Sequence, residues 1–150
     1  MADALSVAIG FLNRRERTVA EVRAKLERAD FGETEIDLTV TELLELGMLD
    51  DSRYARVFVE DKRTLEQWGV ERITRTLTER GIDRELIAET LAVEPGEGEL
   101  ARAVELLDQR FSAPPAEWRE RERAFGVLVR KGYDTEIASD AIRAWTRGRA

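Results

Sequence analysis

The sequence predicts an all-α protein built from three tandem three-helix repeats. Three segments of the chain align without gaps at a step of 51 residues, so that Leu26 matches Leu77 and Leu128. A fixed period of this size is typical of helical arrays. No segment alternates apolar and polar residues with period 2, and only three prolines interrupt a chain in which 37% of the residues are charged. These features favour helices with solvated outer faces over a β-sheet fold.

Each aligned segment predicts two helices joined by a tight corner. In the first segment Thr18 begins a helix and Glu21 completes a capping box. In the other two segments Gly81 and Gly132 supply the left-handed residue that ends the first helix, and an aspartate two residues later caps the next helix. The three segments read VAEVRAKLERADFGETEIDLTV, VERITRTLTERGIDRELIAETL and RERAFGVLVRKGYDTEIASDAI.

A third apolar helix precedes each pair, which gives nine helices in all. These helices are predicted over Asp3–Asn13, Ser52–Gln67 and Glu99–Phe111. The clearest apolar stripe consists of Tyr54, Val57, Phe58 and Leu65. The predicted repeats span residues 1–50, 51–94 and 98–147, with obvious breaks at EPGEG (94–98) and SAPPAE (112–117).

Two adjacent aspartates, Asp50 and Asp51, follow the glycine at Gly47. They are either a catalytic or metal-binding carboxylate pair, or residues of the turn that separates two helices. Gly47 lies where a helix C-cap belongs, and an aspartate next to the following helix suits its positive end. A metal site needs further convergent carboxylates, and the sequence gives no sign of them. We therefore predict that the pair caps the helix.

The composition excludes several classes of chemistry. Cysteine and histidine are both absent, and so is the phosphate-binding motif GxxxxGK[ST]. Zinc sites of the usual kind, cysteine nucleophiles, Ser-His-Asp triads and disulfides are therefore impossible. We predict a binding protein with no cofactor and no metal, and not an enzyme. No apolar stretch approaches the roughly 20 residues that span a bilayer, and the N-terminus does not read as a secretory signal, so we expect a cytoplasmic protein without membrane contact.

The net charge of −7 is unevenly distributed. Residues 1–50 carry 6 basic and 11 acidic side chains, residues 51–98 carry 8 and 11, and residues 99–150 carry 10 and 9. The acidic first part should repel nucleic-acid phosphates, whereas the last part is compatible with them. The 21 arginines, against 3 lysines, either bind phosphates and carboxylates or lie on solvent-exposed helix faces.

The three tryptophans have different predicted places. Trp145 fits a core stripe, while Trp68 and Trp118 are candidate interface anchors.

Three motifs together resemble the RecX family of regulatory proteins. GMLDDSRYARVFV resembles the family pattern G-x-L-D-D-x-R-[FY]-A. GVERITRTLTERGI and FGVLVRKGYDTEIASDAI resemble its second and C-terminal segments, in the family's order. The similarity spans about Ala4 to Trp145. It implies three tandem repeats that form an elongated, curved molecule.

The resemblance also implies a partner and a function. Members of this family bind the filament that the RecA recombinase forms on DNA, and mostly inhibit its strand exchange and ATP hydrolysis in recombinational DNA repair and the SOS response. We expect this chain to act as a monomer, with the acidic first third against RecA and with DNA contacted weakly or through RecA. The candidate contact residues are Arg72, Arg75, Arg130 and Lys131.

Two other functions remain open from the residues. A general helical-repeat adaptor would bind a protein or peptide unrelated to recombination. A sequence-specific DNA binder would hide a helix-turn-helix in one three-helix unit, although the net charge argues against it. An enzyme is the least favoured class, because no convergent carboxylate pair is visible in the sequence.

Overall fold

A computed structural model describes residues 2–93 and 98–148, and the elements within these ranges are helices. Nine helices and no strands occur in this part of the chain, which confirms the all-α fold class. They are α1 Ala4–Leu12, α2 Val19–Arg28, α3 Glu33–Glu45, α4 Asp51–Thr64, α5 Val70–Glu79, α6 Arg84–Ala92, α7 Gly98–Arg110, α8 Trp118–Lys131 and α9 Thr135–Gly148. Of the predicted break at 94–98, only Gly98 lies in the described residues. None of the described helices combines the length and apolarity needed to cross a membrane.

The chain divides into two compact units. Unit 1 consists of Met1–Phe58 with Leu77–Thr90, and unit 2 consists of Val59–Thr76 with Leu91–Ala150. The divisions fall inside α4, α5 and α6, whereas the repeats were delimited by their sequence similarity. The repeat boundaries at 50–51 and 94–98 therefore stay a prediction.

The core of unit 1 is built from the apolar faces of its first three helices. Ala4 and Ala8 are small enough to let α1 lie close to its neighbours, and Leu49 closes the core after α3. The predicted stripes of α2 and α3 supply the rest of this core, namely Val22, Leu26, Ile36, Val40 and Leu43. Burying each such side chain contributes about 1.5–3 kcal/mol.

The core of unit 2 is formed by α7, α8 and α9. It contains Leu106, Leu107, Leu128, Tyr133 and Trp145 among its large side chains. The predicted core position of Trp145 is confirmed. Its indole nitrogen donates to Asp108 Oδ1 at 3.3 Å, so the buried ring keeps a partner for its polar atom.

The corners between paired helices follow the sequence pattern closely. Thr18 and Glu21 form the predicted capping box at the start of α2. Gly81 and Gly132 have φ angles of 83° and 103°, as predicted for residues that end a helix. Asp30, which aligns with these two glycines, has a φ of 66° although it is not a glycine. The step of 51 residues therefore matches equivalent backbone positions in all three corners.

The predicted stripe on α4 is partly wrong. Tyr54 and Phe58 are buried, but Val57 is 50% exposed and Leu65 is 77% exposed. The buried face of α4 includes Ala55 beside Tyr54 and Phe58, and Val57 lies on the opposite, exposed side. The helix also ends at Thr64 and not at 67, so Leu65 lies beyond the last turn.

Candidate functional site

The loop between α4 and α5 is bonded to the corner between α8 and α9. The backbone N–H of Gly69 donates to the carbonyl of Lys131 at 2.8 Å, and that of Glu71 donates to the carbonyl of Gly132 at 3.0 Å. The Lys131 ammonium donates to the carbonyl of Glu66 at 2.9 Å. The Tyr133 hydroxyl donates to the Gln67 carbonyl at 2.8 Å. Carbonyls at the C-terminal end of α8, which lack partners within the helix, are thereby satisfied.

Two glycines allow this close approach. A Cβ atom at Gly69 would lie 2.4 Å from the carbonyl oxygen of Gly132, and one at Gly132 would lie 2.3 Å from Cβ of Arg72. Neither backbone leaves room for a side chain. The glycine of the corner is therefore needed both for its positive φ and for packing.

Cationic residues gather at this junction, and two of them lie over the ring of Trp68. The Arg72 guanidinium lies 4.0 Å from the centroid of the Trp68 ring and donates to the carbonyl of Arg130 at 3.3 Å. The Lys62 ammonium lies 4.6 Å from the same ring. We call this cluster the basic corner, and it consists of Lys62, Arg72, Arg110, Arg130 and Lys131 with Trp68. All of its members belong to unit 2.

The Lys131 ammonium lies near three other cations of the basic corner and near one acid, Glu66. Its pKa lies below the ordinary value of a lysine, first because the ammonium is partly buried and then because Arg72, Arg110 and Lys62 lie nearby. Glu66 acts in the opposite direction. Concentrated positive charge in a protein of net charge −7 is a feature that favours an anionic ligand.

The structure brings together three of the four predicted contact residues. Arg72 and Lys131 belong to the basic corner with their side chains, whereas Arg130 joins it through its backbone carbonyl and its guanidinium lies beside Gly126 on α8. Arg75 is exposed on α5 one turn after Arg72. Arg72 and Lys131 also bond to backbone carbonyls, so their side chains serve the junction itself. Arg75 and Arg130 are the two exposed residues among the four predicted contact residues.

Sequence reasoning missed Lys62, Arg110 and the central place of Trp68. Lys62 lies near the end of α4 and Arg110 at the end of α7, so neither shares a repeated segment with Arg72. Trp68 was a candidate anchor because of its size alone. The sequence held one weak indication of this cluster: Lys62 and Arg110 each lie in the last turn of a helix, where a cation also stabilises the negative end of the helix dipole.

A second corner of the same construction occurs in unit 1. The Thr18 hydroxyl donates to the carbonyl of Arg80 at 2.6 Å, and residues 18 and 80 align with residues 69 and 131. Where unit 2 uses the backbone of Gly69 as donor, unit 1 uses a side chain. Gly81 lies against Ala20 here, and a Cβ on Gly81 would approach Cβ of Ala20 to 2.2 Å.

The charge of the two corners differs. Arg72 and Arg130 align with Glu21 and Glu79, so two cations of the basic corner are replaced by acids in unit 1. The guanidinium of Arg80, which aligns with Lys131, donates to the Tyr54 hydroxyl and lies 4.9 Å from the Phe58 ring centroid. The basic corner is thus a property of unit 2 and not of the repeat as such.

The two adjacent aspartates have separate structural tasks. Asp50 Oδ1 accepts from the Arg53 N–H at 3.1 Å, which confirms the predicted cap of α4. Asp51 Oδ1 accepts from the Val19 N–H at 3.0 Å, at the start of α2. Burial, with Asp50 and Glu21 nearby, raises the pKa of Asp51, although the bond from Val19 acts against that rise. Within 2–93 and 98–148, no three or more acidic side chains are grouped so as to hold a metal ion.

Unit 2 repeats this arrangement with a longer acid. Glu99 Oε2 accepts from the Val70 N–H at 3.3 Å, and Val70 aligns with Val19. Burial raises the pKa of Glu99, while the bonds from Val70 and Arg102 oppose that rise. The two partly buried acids are therefore explained by their bonds to the first N–H groups of α2 and α5.

Comparisons with known proteins agree with the geometry of the repeats. The model of the first three-helix domain of RecX matches residues 4–43, and that of the second matches residues 50–91. Regulatory protein RecX of Trichlorobacter lovleyi is 33% identical over 140 residues, covering 91% of each chain. The protein of the same name from Deinococcus radiodurans is 34% identical over 139 residues, covering 93% of this chain and 66% of its own.

Solved structures show the same fold. The crystal structure of RecX from Lactobacillus salivarius superposes with a TM-score of 0.81 over 95% of this chain and 94% of that one, at 23% sequence identity. A second crystal structure, that of a regulatory protein RecX, superposes with a TM-score of 0.73 over 91% of this chain and 68% of that one.

Proposed function

The chain belongs to the RecX family, and from this membership we propose that it is a non-catalytic regulator of the RecA recombinase. It binds the RecA nucleoprotein filament and inhibits strand exchange and ATP hydrolysis during DNA repair. The observation that carries this proposal is the family relationship over 91% of both this chain and its relative from Trichlorobacter lovleyi. Because the chain needs only to favour one filament state, it requires no cofactor and no catalytic residue.

The basic corner supports a contact with the DNA inside the filament. Phosphate oxygens are good acceptors for arginine and lysine, and a cluster of cations binds them through released counterions. In this proposal Arg75 and Arg130 are the side chains that meet the DNA backbone directly. Arg72 and Lys131 add charge from fixed positions at the junction.

The acidic first third supports a contact with protein. Residues 1–50 carry 11 acidic and 6 basic side chains, which suits a basic surface of RecA better than DNA. In this proposal, three repeats over residues 1–50, 51–94 and 98–147 contact more than one RecA subunit. We propose that the protein works in the cytoplasm as a monomer, without membrane contact.

The experiment that tests this function measures single-stranded-DNA-dependent ATP hydrolysis by the cognate RecA while this protein is added. We expect suppression at concentrations below that of RecA, because binding at a filament end or in its groove affects many subunits. Unchanged hydrolysis, together with no binding to preformed filaments, would refute the proposal and favour a helical-repeat adaptor with another protein ligand.

Charge reversal tests the site within the same assay. Arg75→Glu with Arg130→Glu should weaken binding to the filament by about tenfold or more, because each lost phosphate contact weakens a salt-dependent interaction. Reversal at 130 suits the fold, since the equivalent position in unit 1 is Glu79. The matched control is Arg56→Glu with Arg119→Glu, two exposed arginines outside the basic corner with the same change in net charge. Equal losses in both double variants would mean that net charge, and not this site, governs binding.

A further inference from the structure

Trp68 lies at the centre of the basic corner and contacts two of its cations. The indole is only 8% exposed, with the Arg72 guanidinium 4.0 Å and the Lys62 ammonium 4.6 Å from its ring centroid. Its backbone N–H donates to the carbonyl of Lys62 at 2.8 Å, which fixes the ring relative to the end of α4. A backbone hydrogen bond therefore fixes the position of Trp68, and its ring contacts the side chains of Lys62 and Arg72.

These contacts reduce the freedom of two long side chains before any ligand arrives. Lysine and arginine have many rotamers, and ordering them on binding lowers affinity. The face of an indole ring attracts cations and stabilises them in one arrangement. The Lys62 ammonium also donates to Glu66 Oε2 at 3.1 Å, so the ring and this carboxylate together hold it.

Unit 1 contains the same pair of positions with the residue types exchanged. Residues 11 and 17 align with residues 62 and 68 at the step of 51. There Phe11 supplies the ring and Arg17 the cation, 3.9 Å from the ring centroid. A cation over an aromatic ring thus occurs at these positions in both units. A second cation lies near each ring, Lys25 at 5.6 Å from the Phe11 centroid and Arg72 at 4.0 Å from that of Trp68.

We propose that Trp68 is a positioning residue for phosphate binding, whose ring holds Lys62 and Arg72 in the arrangement that receives a DNA backbone. This inference rests on the proposed contact between the basic corner and DNA. Trp68 does not touch the phosphates; it acts through the two cations. The effect of Trp68 on DNA affinity therefore depends on the presence of Lys62 and Arg72. A residue that contributed only to folding would show no such dependence.

The test measures binding of a fluorescein-labelled 20-nucleotide oligo-dT strand by anisotropy at several KCl concentrations below 0.2 M. Trp68→Leu removes the π face and should weaken binding about tenfold, with a salt slope smaller by about 1.4, the value for two lost phosphate contacts on a single strand. Trp68→Phe keeps an aromatic face and should restore binding to within about twofold of the original protein. Trp118→Leu is the control, because Trp118 is 59% exposed and lies outside the basic corner.

A double-variant cycle with Lys62→Met completes the test. If Trp68 acts through Lys62, removing the ammonium should cost much less affinity in the Trp68→Leu background than in the original protein. Circular dichroism of each variant checks that the helices remain, and Trp68→Phe keeps the test valid if the leucine variant unfolds. Equal costs of Lys62→Met in both backgrounds, or an unchanged salt slope in Trp68→Leu, would overturn the inference. Failure of the original protein to bind both this strand and the RecA filament would instead refute the proposed function.

Discussion

The Thr18 hydroxyl is expected to make one of the larger single contributions to the stability of unit 1. The side chain is fully buried, at 0% exposed. Its oxygen accepts from the Glu21 N–H at 3.1 Å and donates to the carbonyl of Arg80 at 2.6 Å. One atom therefore caps α2 and holds the corner that follows α5.

Thr18→Ala removes both hydrogen bonds. Loss of an N-cap side chain costs about 1 kcal/mol. Leaving the Arg80 carbonyl without its partner costs a further 1–3 kcal/mol, roughly, as for other buried groups. The expected decrease in the free energy of unfolding is therefore about 2–4 kcal/mol.

Two matched variants separate the hydroxyl from the methyl group and from threonine itself. Thr18→Ser keeps the oxygen and loses one methyl group, at a cost of about 0.8 kcal/mol. Thr64→Ala removes a hydroxyl that donates to the Glu60 carbonyl of the same helix at 2.7 Å, on an exposed side chain. Because alanine favours helix and the lost bond is local, its effect should stay within about 0.5 kcal/mol of zero.

Urea unfolding followed by circular dichroism at the helix band measures these changes. With a denaturant slope of about 1–3 kcal/mol per molar, Thr18→Ala should lower the urea midpoint by about 1–2 M. The serine variant should lie close to the original protein. The reasoning is refuted if Thr18→Ala changes the free energy of unfolding no more than Thr64→Ala does.

Two further predictions concern Gly132 and Asp51. Gly132→Ala should cost about 2–4 kcal/mol in thermal or urea unfolding, because it combines a strained positive φ with a clash against Arg72. Gly47→Ala should cost only about 1–2 kcal/mol, since Gly47 has a φ of 74° but nothing within 4 Å of an added Cβ. Asp51→Asn keeps an oxygen for the Val19 N–H and removes a carboxylate whose pKa is raised in the folded state. An acid whose pKa is higher in the folded than in the unfolded state lowers the free energy of unfolding above the folded-state pKa. This loss disappears as the pH falls below the unfolded-state pKa. Asparagine should therefore stabilise the protein at pH 7 and lose this advantage in acid. A stability difference between the two proteins that is constant from pH 7 to pH 3 would contradict this account.

The sequence predicted best what short segments determine. The capping box at Thr18, the positive φ of Gly81 and Gly132, and the all-helical fold depend on residues within a few positions of one another. The register of 51 residues even identified Asp30 as the counterpart of the two glycines, and its φ of 66° agrees. Local steric and hydrogen-bonding rules decide these features, so one sequence suffices for them.

The sequence predicted less where distant segments meet. The basic corner draws Lys62, Arg72, Arg110 and Lys131 from four different helices, and no spacing within one segment indicates that they meet. The second task of Asp51, accepting from Val19, likewise depends on packing between α2 and α4. The exposure of Val57 was missed because an apolar residue near a stripe is not necessarily part of the buried face.

The two equivalent corners separate what the fold requires from what it tolerates. In both, a donor at position 18 or 69 bonds to the carbonyl at position 80 or 131, so this bond belongs to the fold. The residues beside it are free to change sign, since Glu21 and Glu79 stand in one corner where Arg72 and Arg130 stand in the other. In unit 2 the backbone of Gly69 makes this bond without any side chain, and Arg72 and Lys131 add side-chain bonds to the carbonyls of Arg130 and Glu66. The exposed arginines Arg75 and Arg130 are the part of this charge that the proposed anionic partner would engage.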